Sequence, residues 1–497
     1  MFTSLKSKKK RLRQALAALC VAATAMAGCT VGPNFVRPEP PTVNRYTHGP
    51  QPAATVRAAG RRQYFRQGAR IEAGWWRLFR SPAIDAVVRA AIVNNPGLRS
   101  AQASLRQSQQ LLAAGEGIFY PQVDAGFSAV RQKFSPTRFG GAPSSTIFNL
   151  YTLTSTISYA LDVFGGERRA VESLGAQVDF QRYEVLGTYL SLSGNIVDAM
   201  IAQAAYIAET DATSRLISLE EEQIKIAEAQ AEAGTVPYSN VLSLQSQLAA
   251  TQATLPPLKQ KLSQARHLLA ALTGSAPALW APPEVSMREL ALPAGLPVSL
   301  PSDLVRQRPD ILAAEAQMHG ASANIGVATA AMFPSFTLSG SLGLESTSLG
   351  NLFKKTSSLW ALGADITAPL FHGGTLSAKR RAAIEAYRQS AADYRQTVLN
   401  ALEQVADTLR ALQHDAETLE AETEALGAAR EALKLVQANY RAGTVGYLQV
   451  LTADNQYYQA KIGYLQAKAV RLQDTVALFV SLGGGWWNSR EEIPGVP

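Results

Sequence analysis

"AGTVPYSNVL" (Ala233–Leu242) and "AGTVGYLQVL" (Ala442–Leu451) are nearly one decapeptide written twice, 209 positions apart, each between long stretches filled with Ala, Gln, Glu, Leu and Arg. Those residues are good helix formers. In both copies a Gly-Thr pair interrupts the run. Gly234 and Gly443 stand where a left-handed residue ends a helix. Thr235 and Thr444 stand where a hydroxyl can cap the helix that returns. The decapeptide reads as the tip of a helical hairpin, built twice.

Other landmarks pair in the same order. "NNPGLRSAQ" at Asn94 matches "QRPDILAAE" at Gln307, and Pro121 in "FYPQVDAGFS" matches Pro334 in "MFPSFTLSGS". "DVFGGERR" matches "PLFHGGTLSAKRR", and each half closes with a Leu-x-Gly, at Leu272 and at Leu482. Ordered landmarks at a near-constant offset mark an internal duplication. The units span 82–273 and 302–483, joined by 274–301 and followed by a tail, 484–497. Each predicts a helix (82–118; 302–331) and two strands (about 120–134 and 150–164; about 334–346 and 358–371). A very long helix follows (167–232; 376–441), then a tip (about 233–237; about 442–446) and a return helix (237–272; 447–481). Apolar residues at helical spacing, such as Leu402, Val405, Leu409 and Leu412, support the helices. Sixty-odd helical residues make a rod on the order of 100 Å long.

The start of the chain sets the compartment. Residues 1–28 read as a signal: six Lys and Arg between Lys6 and Arg13, then "ALAALCVAATAMAG". The apolar part is too short and Ala-rich for a permanent membrane span. It ends in "AMAGC", a lipobox-like site whose Cys29 would become the lipidated first residue of the mature chain. The chain has only two cysteines. Cys20 leaves with the signal, so the remaining thiol has no disulfide partner, and lipidation explains it. Six of the 47 basic residues and none of the 39 acidic ones lie in the signal, so the mature chain carries about +2 rather than +8. No basic patch with interleaved aromatics remains, which excludes nucleic acid as a partner.

The four predicted strands alternate strictly. Val123, Ala125, Phe127 and Ala129 alternate with Gln122, Asp124, Gly126 and Ser128; Tyr151, Leu153, Ile157, Tyr159, Leu161 and Val163 with Thr152, Thr154, Thr156, Ser158 and Asp162. Phe336, Leu338, Leu342 and Leu344 share one face, as do Trp360, Leu362, Ile366 and Leu370. A period of two gives one dry and one wet face. A soluble sheet on helices would satisfy it. So would transmembrane barrel strands, which the export signal and the lack of an apolar run of about 18 residues in the mature chain favour. "FSPTRFGGAPSSTIFN" would then be an outer loop. Four strands cannot close a barrel, and open edges are not tolerated in lipid. Two copies give eight strands, filled by their own side chains; three give twelve, with room for a channel.

The mature start "CTVGPNFVRPEPP" (Cys29–Pro41), the "NNP" at Asn94, the "PLFHGG" at Pro369 and the paired "AGT" tips resemble the outer-membrane efflux protein family. This is the family of TolC- and OprM-type channels, and the resemblance is to its lipoprotein, NodT-like branch. It covers essentially the whole mature chain. It implies a mainly α protein with a membrane β part: a trimeric 12-stranded outer-membrane β-barrel continuing into a 12-helix periplasmic α-barrel. It implies a homotrimer in contact with outer-membrane lipid. It also implies a periplasmic adaptor protein and an inner-membrane efflux pump of the RND type, which supplies the energy. The chain itself would be a passive, gated exit duct for small molecules and drugs. Thr30 after Cys29, in place of the Asp that retains such lipoproteins in the inner membrane, fits the outer membrane. Segments 38–81 and 274–301 would form an equatorial belt, with 29–81 carrying the lipid. Tips would close the periplasmic end and dock the adaptor, through Gly234, Thr235, Ser239, Asn240, Gly443 and Thr444. Leu448 would be an apolar plug. The Tyr440 hydroxyl would latch a neighbouring helix. Relatives place carboxylates at a constriction where this chain has Gln449 and Thr452; Asp454, two residues later, is the available substitute.

No catalytic constellation appears, and the chain reads as non-enzymatic. His48, His267, His319, His372 and His414 lack metal-ligand spacing. Glu220–Glu222 reads as a solvated helix face, and the glycines at Gly483 lack the Lys of a phosphate loop. No cofactor is expected beyond the lipid on Cys29. Two other functions stay open: the duct of a type I protein secretion system, and a structural periplasmic lipoprotein without a pore.

Overall fold

The computed structural model describes residues 30–49, 52–134 and 145–489. The signal, Cys29, most of the expected outer loop (135–144) and residues 490–497 lie outside the described residues. The chain divides into two compact units. The first comprises the residues up to Arg37, Arg106–Phe180 and Ala314–Tyr394; the second comprises Pro38–Leu105, Gln181–Ala313 and the residues from Arg395.

The first unit holds a four-stranded antiparallel sheet: β2 (Gln122–Phe134), β3 (Thr146–Leu161), β5 (Ser335–Ser346) and β6 (Ser358–Thr367), in the order β2-β3-β5-β6. β3 begins four residues before its expected start, and β6 stops short of Leu370, which stands outside the sheet. Pro369 explains the second difference, since proline offers no donor to a ladder. The register puts like opposite like. Val123 faces Ile157 and Phe127 faces Leu153; Leu153 in turn faces Leu344, and Leu342 faces Trp360. On the other face Asp124 meets Thr156, and Thr152 meets Glu345. The apolar face is bare: Trp360 is 73% and Leu362 80% exposed. Among the described residues nothing pairs with the outer edge of β2 or of β6.

Residues 30–37 strap onto this unit. Val31 N donates to Phe164 O (3.0 Å), and Arg169 Nη2 donates to Asn34 Oδ1 (2.6 Å). The Phe35 ring stacks on His319 at 4.5 Å. A side chain on Gly165 would lie 2.8 Å from the Thr30 Cα, and one on Gly32 would collide with the Gly326 backbone. These glycines let the strap lie flush.

The helices run α1 (Pro82–Asn94), α2 (Pro96–Glu116), α3 (Gly166–Glu232), α4 (Tyr238–Leu272), α5 (Pro309–Ala330), α6 (Thr375–Arg441) and α7 (Tyr447–Ser481). The single helices expected over 82–118 and 302–331 are each divided. The residue before a proline is pushed out of helical geometry. Asn95, before Pro96, is extended at ψ 123; its Oδ1 accepts from Leu98 N (2.9 Å), capping α2. Pro309 likewise follows a break after the single turn Pro301–Leu304. α4 continues through Pro256 and Pro257. One stretch of α3 is apolar enough by length and composition to pass for a membrane span, contrary to the sequence reading; 61% of it is buried.

In the second unit β1 (Tyr64–Gln67) pairs in parallel with β4 (Gly295–Val298). Trp75 stacks on Phe479 at 5.3 Å. Beside them lies a buried polar cluster. Arg471 donates to Gln63 Oε1 (3.0 Å) and Thr55 Oγ1 (3.1 Å). Burial, with Asp474 adding, pushes Asp198 of α3 up to about 7. Burial and a hydrogen bond with Asp474 push Asp415 of α6 up to about 7, against the pull of Arg471.

Candidate gate at the hairpin tips

Both tips belong to the second unit and close alike. Thr235 N donates to Gln230 O (2.9 Å) and Gly234 N to Ala231 O (3.0 Å); Thr444 N donates to Asn439 O (3.0 Å) and Gly443 N to Tyr440 O (3.0 Å). Gly234 and Gly443 sit at φ +72 and +74. This is the Schellman pattern, in which a left-handed glycine returns donors to orphan carbonyls. The threonines cap the helices that end, contrary to the sequence expectation. Thr235 Oγ1 donates to Gln230 O (2.8 Å) and Thr444 Oγ1 to Asn439 O (2.9 Å). The returning helices start after Pro237 and Gly446 with no side-chain cap. The carbonyls of an ending helix lack donors, and the left-handed turn brings the hydroxyl back over them. Ser239 and Asn240 are exposed on the first turn of α4.

On α7, Leu448 is half-buried, and Gln449 and Thr452 are exposed. Thr452 Oγ1 donates to Leu448 O (2.9 Å) within its own helix. Asp454 does not join Gln449 and Thr452. Two residues beyond Thr452 is about 200° around a helix, which turns Asp454 toward α3. There burial raises its carboxyl above the usual range, Glu222 adds to the rise, and Arg215 opposes it. Within one chain Asp454 therefore lies on the α3 side of α7, apart from Gln449 and Thr452.

Within the chain the tyrosine that bonds a neighbouring helix is Tyr447 rather than Tyr440. Tyr447 Oη donates to Glu222 Oε1 (2.9 Å), and that bond, with desolvation adding, holds the hydroxyl above the usual phenol range. Tyr440 packs its ring against Tyr447 at 5.4 Å. The signal was present: Tyr447 recurs as Tyr238 in the first decapeptide. Glu222 and Lys225 of α3, with Tyr447, border an open groove of about 740 Å³ that runs to Thr235.

Glu220–Glu222 is not a uniformly solvated face. Glu220 is 2% exposed. Its Oε1 accepts from Gln247 Nε2 (3.0 Å), Thr251 Oγ1 (3.1 Å) and Asn455 Nδ2 (3.0 Å). Helical geometry places residues 220 and 222 on nearly opposite sides, so a run of three acids cannot be solvated as one.

A membrane-type sheet and two long helical hairpins on one duplicated chain define an outer-membrane duct. Residues 87–275 and 300–484 match the family described as outer membrane efflux protein. The chain belongs to that family and is an outer-membrane component of an efflux system. It is 28% identical over 424 residues to the pyoverdine export outer membrane protein OpmQ of Pseudomonas aeruginosa, covering 84% of this chain and 89% of that one. It is 29% identical over 487 residues to the toluene efflux pump outer membrane protein TtgF of Pseudomonas putida, covering 93% and 95%. Among solved structures, the outer-membrane channel OprN aligns with a TM-score of 0.80 at 29% identity, covering 92% of this chain and 100% of that one. The CmeC channel of Campylobacter jejuni aligns at 0.82 and 20% identity, covering 93% and 96%, a likeness of fold alone.

Proposed function

We propose that three copies of this chain form a passive, gated exit duct for small molecules. The duct is anchored by a lipid on Cys29, docked at its tips by a periplasmic adaptor, and driven by an inner-membrane pump of the RND type. The observation that carries the reading is the sheet: four strands, one apolar and one polar face, and two unpaired edges. Bare edges are excluded from hydrocarbon. β2 and β6 run in opposite directions in this antiparallel sheet, so β6 of one copy can pair with β2 of the next. Three copies make twelve strands, wide enough for water inside.

Two further observations support it. Thr30, the residue after Cys29, lies against Gly165 beyond the end of β3, which suits a lipid anchor beside the sheet. The exposed side chains of α7 nearest the tip, Gln449 and Thr452, are uncharged, which suits closure by apolar contact and hydrogen bonds. Relatives are named for pyoverdine, toluene and cations, a range that points to selection by the pump.

The test is the mass, image and conductance of the detergent-extracted protein. A threefold hollow particle that conducts in planar bilayers is expected. A compact, non-conducting monomer would replace this reading with the spacer lipoprotein. Loss of peptide export on deletion, with unchanged drug susceptibility, would replace it with the secretion duct. Intact mass would report the lipid, which Cys29→Ser should abolish.

A further inference from the structure

We infer that Glu220 is a positioning residue of the gate: its buried carboxylate fixes the height and rotation of α7, and so of Leu448, Gln449 and Thr452, against the first hairpin. The inference rests on the duct reading above. Glu220 is on α3, the long arm of the first hairpin. Two of its three donors, Gln247 and Thr251, belong to α4 of that same hairpin. They hold the carboxylate still. The third, Asn455, comes from α7 of the second hairpin and is 6% exposed. All three donors are neutral. All three reach Oε1, and the buried Oε2 has no hydrogen-bond partner among the described residues. A carboxylate buried in this way costs stability, and such groups are better attested as setting register than as adding stability.

The position along the hairpins fits that role. Asn455 stands twelve residues beyond Gly443, and Glu220 fourteen before Gly234, which puts the contact about 20 Å from the tips. Leu448, Gln449 and Thr452 all lie on the two turns of α7 between Gly446 and Asn455. A rigid helix held at Asn455 therefore carries those three at a set height and angle. The bond nearer the tip, Tyr447 to Glu222, has an exposed acceptor and competes with water. The Glu220 bond is dry and sets the seat.

The experiment compares Asn455→Ala, Asn455→Asp and Thr254→Val in the full chain, reconstituted in planar bilayers and melted in detergent. Asn455→Ala cuts the link between hairpins; Thr254→Val removes a hydroxyl bond inside α4 that does not touch Glu220. Asn455→Ala should raise resting conductance several-fold, and Thr254→Val should leave it at the wild-type value. Asn455→Asp sets two carboxyls within bonding distance, which cannot both ionise. It should leak at pH 8 and reseal near pH 5, whereas Asn455→Ala, which shares the pH dependence of the fold but adds no carboxyl, should leak at both. Wild-type conductance in both Asn455 variants would overturn the inference. So would equal leakage in Asn455→Ala and Thr254→Val. If the wild-type protein forms no channels at all, the duct reading itself fails.

Discussion

Gly234 and Gly274 share a left-handed backbone, at φ +72 and +74, but not surroundings. A Cβ on Gly234 meets open space, whereas one on Gly274 would lie 2.5 Å from the Asn94 carbonyl oxygen. Gly234→Ala should therefore cost only the backbone term, about 1 kcal/mol. Gly274→Ala should cost clearly more, and a pair of thermal melts would rank them; equal losses would refute the argument. Tyr447→Phe removes one exposed hydroxyl bond to Glu222, worth about 1 kcal/mol or less. Its melt should barely move while its resting conductance rises. Tyr440→Phe, which keeps the ring contact, should match the wild type in both.

Among the elements, the sheet makes the sharpest demand. Leu362 projects from the bare apolar face, and its neighbour Ala361 from the face that carries Ser341. Leu362→Lys should cost about 2–4 kcal/mol if buried at mid-membrane and abolish the oligomer that the proposed barrel requires; Ala361→Lys should spare it. The alternation that predicts this needs no structure, because a period of two is written directly into Trp360, Leu362 and Ile366. The long helices are equally legible in their composition and paired tips. What stays hidden is direction around a helix: the acids at 220–222 look alike in a string, yet one is buried under three donors. The division before Pro96 follows a local rule, whereas the unbroken run through Pro256 and Pro257 defeats one. The threonine hydroxyls cap the ending helices, which the string alone does not distinguish, because a Gly-Thr pair suits the end of one helix and the start of the next equally well.

At the scale of the whole molecule, the buried polar cluster couples stability to pH. Asp198 and Asp415 have folded values raised to about 7, above the ordinary value of about 4 in an unfolded chain. The folded state then holds protons that the unfolded state releases. The stability these groups confer is complete below about pH 4 and is lost as pH rises through 7. The groups facing them are Asp474, which raises both, and Arg471, which lowers Asp415 and is itself pulled by burial down to about 10. Melting temperature in detergent should be higher at pH 5 than at pH 8, and Asp198→Asn with Asp415→Asn should flatten the profile. A profile already flat in the wild type would sink the assignment. The paired lengths of the hairpins carry a different consequence. α3 and α6 each run 67 residues, and α4 and α7 each run 35. Removing seven residues from both arms of one hairpin would withdraw its tip by about 10 Å and leave the other too long to meet it. The same removal in both would restore the match. Point substitutions can therefore accumulate singly in this chain, whereas insertions and deletions in the arms survive only as matched pairs, so the ancient duplication still binds the two halves to a common length.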